Sequence, residues 1–216
     1  MLADGVTPEL YEQVLAPFLT GVFLDDPANI AAGYGDFVLR SFIFGTPAVP
    51  ARGIEQLPKA IALRLPPTAV LVEHSVHSIE GKTVHTSQGS FSADAVVVAV
   101  DPGTARHWYP QLNVADTLDC TTWYHVAQAS PTESKAIRVD GRKSGPVVNS
   151  VAISQVAPGY ADRGRTLMST TTLGTATDEA TASAVRMQLA RLWGPAANEW
   201  ELVSAVPVPG ALPRLG

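Results

Sequence analysis

Cysteine is nearly absent: Cys120 is the only one in 216 residues. No intrachain disulfide can form, which excludes the disulfide-stapled secreted scaffolds and fits a reducing cytoplasm. The lone thiol reads as a small buried hydrophobe rather than a nucleophile. Charge is sparse as well. Asp, Glu, Lys and Arg make up 16% of the chain, with 15 basic residues against 20 acidic ones. A net charge of -5 and no Lys/Arg cluster argue against a nucleic-acid partner, because phosphate binding needs concentrated positive charge. Long apolar runs are missing too. The longest, Val14 to Leu24, is interrupted by Pro17, Thr20 and Gly21. It falls well short of the about 20 residues that span a bilayer. Residues 1 to 13 lack the basic start and apolar core of an export signal. No internal repeat and no low-complexity segment is found.

What is present is a globular interior. Apolar residues make up 46% of the chain, enough for one large domain or two small ones. Residues 1 to 65 read as helical. "TPELYEQVLAPFL" opens with Thr7 as N-cap and Pro8 at the first helical position. Leu10, Val14, Leu15 and Phe18 share one face by helical periodicity, and Pro17 is expected to kink or end the helix. "DDPANIAAGYGDFVLRSFIFG" suggests a second helix, broken at Gly45-Thr46-Pro47. "GIEQLPKAIALRLPP" suggests a third, with Ile54, Leu57, Ile61 and Leu65 on one side.

The character changes at residue 68. "AVLVEHSVHSIEG" is β-rich, and "KTVHTSQGSFSA" reads as a hairpin turning near Gln88-Gly89. In "FSADAVVVAVDP" the run Ala95 to Val100 has no polar alternation, so it reads as a central strand buried on both faces, with Val97 deep inside. Asp101-Pro102 then caps a short helix, "GTARHWY". From residue 110 onward the chain is mostly half-polar strands, as expected of an antiparallel sheet. One helix, "DEATASAVRMQLARLWG", starts near Asp178 and stops at Gly194-Pro195.

Several chemistries are tested and fail. His74, His77 and His85 cluster in sequence, but His74 and His77 would point to opposite faces of a strand, so no zinc site is expected. Ser150 and His125 stand without a G-x-S-x-G elbow or an ordered acid. Gly33 and Gly35 follow no strand, so "AAGYGDF" reads as a helix-packing site rather than a dinucleotide fingerprint. No G-x-x-x-x-G-K phosphate loop occurs. In "TTWYHV", Trp123 and His125 would share one face and Tyr124 the other. Pure packing and the wall of an apolar pocket both remain open for this trio.

The segments "FLTGVFLDDP", "VLRSFIFGTPAVPARGIEQLPKAIALRL", "VEHSVHSIEG", "FSADAVVVAVDP", "TTWYHV", "GPVVNSVAISQVAPGYA" and "WELVSAVPVPGALP" occur in that order. Together they resemble the middle and later part of the flavin-dependent oxidoreductases of the amine oxidase and phytoene desaturase type. The resemblance covers nearly the whole chain. Arg52-Gly53 stands where the family has the Gly pair that opens G-G-x-x-x-L-x-x-x-L, so the first glycine is lost. The family's opening G-x-G-x-x-G and its closing Gly-Asp segment are not found, so the chain is expected to be a middle-to-late fragment.

The resemblance implies an α+β fold: a portion of an α/β FAD-binding domain at 66–109, and a substrate domain made of a helical part at 1–65 and a mainly antiparallel sheet at 110–216. It implies FAD as cofactor, approached by Val76 through its backbone and by Ala99, Val100, Asp101 and Pro102 at the end of the buried strand. Phe23, Trp123, Tyr124 and His125 would line the substrate pocket. No acid or base is named as catalytic. The implied activity is oxidation of a small or apolar organic substrate, an amine among them, by hydride transfer to flavin. The alternative is a non-catalytic binding module or inactive remnant that docks to a complementary FAD-domain chain. The Phe- and Leu-rich helices of residues 7 to 44 would line a substrate tunnel or touch a membrane surface in a complete enzyme, and in this chain are expected to expose apolar area and promote self-association. No metal is expected.

Overall fold

The computed structural model describes residues 5–214. The chain divides into two compact units: residues up to Ile54 together with those from Asp116 onward, and Glu55–Ala115 between them. The helical segment before Ile54 therefore belongs with the later sheet, and residues 55–65 belong with the smaller unit.

The larger unit begins with one continuous helical run. It comprises α1 (Pro8–Leu10), a π-helical turn (Tyr11–Leu15) and α2 (Ala16–Phe23). Thr7 caps it, its hydroxyl oxygen accepting from the Leu10 N–H at 3.2 Å. Pro17 does not end the helix. A proline lacks the N–H that would bond the carbonyl four residues back, and the wider π-turn just before it absorbs the mismatch. The inserted residue also rotates the apolar face. Ala16, Pro17, Leu19 and Phe23 are buried, while Leu10 and Val14 of the expected face are exposed. Leu24 ends the run in a left-handed conformation at φ 58. A 3-10 turn (Pro27–Asn29) and α3 (Ala32–Phe44) follow.

The smaller unit starts with α4 (Gln56–Ala62), whose expected apolar face is exposed at Ile54, Leu57, Ile61 and Leu65. Strands β1 (Val76–Glu80), β2 (Thr83–Thr86) and β3 (Gly89–Ser92) form an antiparallel meander, with the second turn at Ser87–Gln88. Gly81, at φ 61 in the first turn, holds a left-handed position that favours glycine. Helix α5 (Pro102–Trp108) closes the unit, capped by Asp101.

The run Ala95 to Val100 corrects the sequence expectation. It forms no strand, and Val97 is 88% exposed. Apolar, β-branched composition suits a strand, but a strand exists only where a neighbour takes its N–H and C=O groups. β1 and β3 each pair only with β2, and neither takes this run on its other edge.

Beyond residue 116 the larger unit resumes with β4 (Thr117–Ala127), β5 (Val147–Ala152), α6 (Ile153–Val156), β6 (Thr166–Leu173), α7 (Glu179–Trp193) and β7 (Glu201–Pro213). The strands make one antiparallel sheet in the order β5-β6-β4-β7. The α+β architecture expected from sequence is the one observed. Among the described residues no helix is long and apolar enough to cross a membrane.

The exposure of Val97 reverses the expected effect of a charge there. Val97→Asp should change the urea-unfolding free energy by no more than about 0.5 kcal/mol, as at an ordinary surface position. A loss of several kcal/mol would show that the segment is buried after all.

Candidate functional site

The four-stranded sheet has two unlike faces. Alternation sends Thr121, Trp123, His125 and Ala127 of β4 to one side, together with Met168, Thr170 and Thr172 of β6 and Ser150 and Ala152 of β5. Every one of these is buried. Helix α7 covers them. Its N-cap Asp178 accepts from the Thr181 N–H at 2.9 Å, and its Val185, Gln188, Leu189 and Trp193 are buried. Val185, Leu189 and Trp193 make one core cluster with Trp123, Met168 and Val147.

Polar groups inside this layer are mostly paired. The Trp123 indole N–H donates to Thr172 Oγ1 at 3.0 Å, and that of Trp193 donates to Ser150 Oγ at 3.0 Å. Ser150 and Thr170 hydroxyls share a further bond at 2.9 Å. The Arg138 guanidinium stacks 3.9 Å over the Trp193 ring and donates to the Leu192 carbonyl. Gln188 is fully buried and clamps the entrance to β5. Its Oε1 accepts from the Val147 N–H at 2.7 Å, and its Nε2 donates to Val147 O and to Asp140 Oδ2. Burial pushes the Asp140 carboxyl up, but the Ser144 hydroxyl, the Gln188 amide and the N–H groups of Ser144 and Arg142 together hold it below its ordinary value.

His125 is the exception. It is buried, and its Nδ1 has no hydrogen-bond partner. Burial first, and the positive charge of Arg186 second, lower its pKa from 6.5 to about 4. The imidazole is therefore neutral at physiological pH.

The opposite face of the sheet carries Thr122 and Tyr124 of β4, Ser169 and Thr171 of β6, and Asn149 and Val151 of β5. All six are half-buried. Helix α2 lies on this side: a Cβ added at Gly21 would come within 2.5 Å of the Asn149 side-chain nitrogen. Phe23, the last residue of that run, is buried with its ring 5.9 Å from Tyr34. It lines a cavity of 320 Å³ with Leu19, Pro27 and Ile30.

The four residues expected to share a pocket are thus divided by the sheet. Phe23 and Tyr124 belong to the α2 side. Trp123 and His125 belong to the core under α7, which corrects their expected place in a pocket wall. Of the five residues expected to approach a cofactor, Val76 opens β1 opposite Thr86, and Ala99 and Val100 lie exposed in the unpaired run. Asp101 spends its carboxylate on its own helix, accepting from the Thr104 hydroxyl at 2.6 Å and the Thr104 N–H at 3.0 Å. The hydroxyl and then the N–H hold its pKa below the ordinary value. Pro102 occupies the first position of α5. Cys120 is a half-buried free thiol, raised in pKa by burial and by Asp119. Among the described residues no group of His, Cys, Asp and Glu could hold a metal.

Sequence reading missed the loop Asp140–Gly145. Its signal was the "DGRKSG" string, in which an Asp-Gly step followed by a second glycine four residues on marks a built turn rather than a frayed strand end.

The family described as flavin containing amine oxidoreductase matches residues 3–208. No curated protein matches the chain at a significant level. Among solved structures, an oxidoreductase from Methanosarcina mazei is 12% identical with a TM-score of 0.71, covering 100% of this chain and 57% of its own. A reduced UDP-galactopyranose mutase is 14% identical with a TM-score of 0.67, covering 95% of this chain and 54% of its own. The chain thus spans little more than half the length of these structures, and the likeness to them is one of fold.

The lowered pKa of His125 fixes the sign of one pH dependence. Between pH 6.5 and about 4 the unfolded chain binds the proton and the folded chain does not. Stability is therefore full above pH 6.5 and falls as the pH drops toward 4, by up to about 3 kcal/mol from this group. Urea unfolding at pH 7 and pH 4.5 measures the drop, and His125→Asn should flatten it. An equal drop in the variant would assign the effect to other groups.

Proposed function

The chain belongs to the flavin containing amine oxidoreductase family, and we propose that it carries the substrate side of a flavin-dependent oxidoreductase that takes a hydride from a small or apolar organic molecule, with FAD as acceptor. The observation that carries this reading is the asymmetry of the sheet. One face is dry and closed by α7. The other presents one aromatic ring, Tyr124, among the hydroxyls of Thr122, Ser169 and Thr171, all half-open to solvent. Such a surface gives an apolar substrate a flat contact and a few donors to orient it. Tyr124 is the residue assigned to substrate contact, with Phe23 on the same side. Trp123 and His125 support the strand from beneath.

A bound flavin would supply the electron sink. The residues described here do not form its cradle. Asp101 is committed to Thr104, and Ala99 and Val100 offer no buried polar group. This same observation, with the exposure of Leu63, Val72 and Val97 in the smaller unit, favours the second reading: a binding module that docks to a chain carrying the FAD domain.

Two measurements test these readings. Purified chain mixed with equimolar FAD and passed through gel filtration should emerge colourless; retention of stoichiometric flavin would overturn the missing cradle. Benzylamine binding to the chain, followed by NMR, should weaken about tenfold in Tyr124→Ala, the scale of a truncated contact aromatic. Unchanged binding would remove Tyr124 from the substrate surface.

Self-association is proposed from α3, where Phe37, Ile43 and Phe44 stand exposed. Sedimentation should find concentration-dependent oligomers and bound hydrophobic dye, both reduced in a Phe37→Ser/Phe44→Ser variant. A monodisperse monomer without dye binding would refute it.

A further inference from the structure

The antiparallel meander of the smaller unit has one polar face, assembled by its register. Ser78 of β1 stands opposite His85 of β2, which stands opposite Ser90 of β3. Glu80, Thr83 and Ser92 make the next row in the same way. Opposite residues in a ladder share a face, and so do residues two apart along a strand, so these rows lie on one side. Ile79, Val84 and Phe91 make the row between them, on the other side. Hydroxyls are ordinary on an exposed face. The engagement of both nitrogens of His85 is not. Its Nδ1 lies 2.8 Å from the Ser90 hydroxyl oxygen, and its Nε2 lies 3.9 Å from the Glu80 carboxylate. A serine, a histidine and an acid thus stand in line across three adjacent strands.

These contacts set the tautomer. The carboxylate is too far for a hydrogen bond but near enough to favour the proton on Nε2. Nδ1 is then the free acceptor, and the Ser90 hydroxyl donates to it. Ser90 is exposed and His85 half-buried, so the hydroxyl is reachable while the ring has support. The backbone supplies a further donor. The Ala93 N–H donates to the Lys82 carbonyl at 3.1 Å, just past the end of the β2–β3 ladder. N–H groups alternate in direction along a strand, so those of Ser90 and Ser92 face away from β2. No described strand pairs with β3 on that side. The Ser90 N–H is therefore open beside its own hydroxyl, where the N–H of a nucleophilic serine can stabilise an oxyanion.

We propose that Ser90 is an acyl-accepting nucleophile for activated carboxylic esters, with His85 as its general base and Glu80 as the residue that positions the ring. The Ser90 Oγ attacks the acyl carbon while its proton passes to His85 Nδ1. The ester C–O bond breaks, the phenolate leaves, and the proton on His85 returns to solvent. Water then attacks the acyl carbon and gives a proton to His85. The serine oxygen leaves, takes that proton back, and the carboxylic acid departs. One ester and one water become one acid and one phenol. The site is an open sheet face, which offers little binding energy to drive out a basic leaving group. The substrate class is therefore an ester of a weakly basic leaving group, such as a phenyl ester. This activity is separate from flavin chemistry and does not rest on the oxidoreductase reading.

The probe is p-nitrophenyl acetate, added to the full chain. A burst of nitrophenolate should accompany acetylation of Ser90, located by mass spectrometry of the digested chain. Ser90→Ala should remove the acetyl group from that position. His85→Gln should slow acetylation about 100-fold, the low end of what a positioned general base contributes. Glu80→Gln should slow it less and should move the ring-nitrogen chemical shifts of His85 toward a mixture of tautomers, which loss of a merely structural contact would not do. Ser90 and Glu80 are exposed and His85 is half-buried, and unchanged far-UV circular dichroism and melting temperature establish that the variants fold. Acetyl groups on lysines with Ser90 unmodified, or an unchanged rate in His85→Gln, would overturn the proposal. Unmoved nitrogen shifts in Glu80→Gln would remove Glu80 from it.

Discussion

Helix α7 buries Val185, Leu189 and Trp193 against Trp123, Met168 and Ala152 of the sheet, and the larger unit is arranged around that contact. The burial is apolar in bulk but specified by polar groups. Trp193 can place its ring there because Ser150 Oγ accepts its N–H, and Ser150 in turn pairs with Thr170 across the strands. A rotated or shifted helix would strand these donors in a dry layer, where each costs the full desolvation penalty. The result is a helix with one position, not several. Gln188 extends the same constraint outward. By satisfying both the N–H and the C=O of Val147 it fixes where β5 begins, and by holding Asp140 it fixes the loop before β5.

Once one face is closed, the other face is defined by exclusion. Residues alternate along β4, so dedicating Trp123 and His125 to the core commits Tyr124 to the α2 side. The edge of the sheet is protected by chain chemistry rather than by cover. β7 is an edge strand, and Pro207 and Pro209 remove N–H groups at alternate positions. That blunts pairing with another chain while leaving the β4 ladder intact.

Features set by a few neighbouring residues were legible in the sequence. Thr7-Pro8, Asp101-Pro102 and Asp178 start helices where their side chains can accept a backbone N–H, and Gly194 ends α7. The turn between β2 and β3 and most of the strands after residue 116 followed from alternation; residues 135–141, which read as a strand, form only the bridge Arg138–Ser150. Features set by distant partners were not legible. Alternation separated Tyr124 from Trp123 and His125, but nothing local says which side α7, more than fifty residues later, will cover. Ala95 to Val100 has strand composition, yet pairing belongs to two segments, and no described strand pairs with it. The candidate site was read least well for the same reason: its expected residues came from two segments whose faces are assigned only after packing.

The helical run at the start of the chain shows how a local irregularity becomes a tertiary one. Pro17 has no N–H, so the carbonyl of Gln13, four residues earlier, loses its ordinary helical donor. The π-turn over Tyr11–Leu15 is the local answer. It also turns the helix so that Ala16, Leu19 and Phe23 face inward, and it leaves the Gln13 backbone open to close approach. Only a residue without a side chain can come that near, and Gly141 does: even its missing Cβ would overlap the Gln13 carbonyl oxygen, Cα and carbon. The proline in α2 and the glycine in the Asp140 loop are therefore two halves of one contact. Through Gly141 it joins the irregular helix to the loop that Gln188 holds from the other side. The position of α2, and with it the wall that carries Phe23, is thus coupled back to α7.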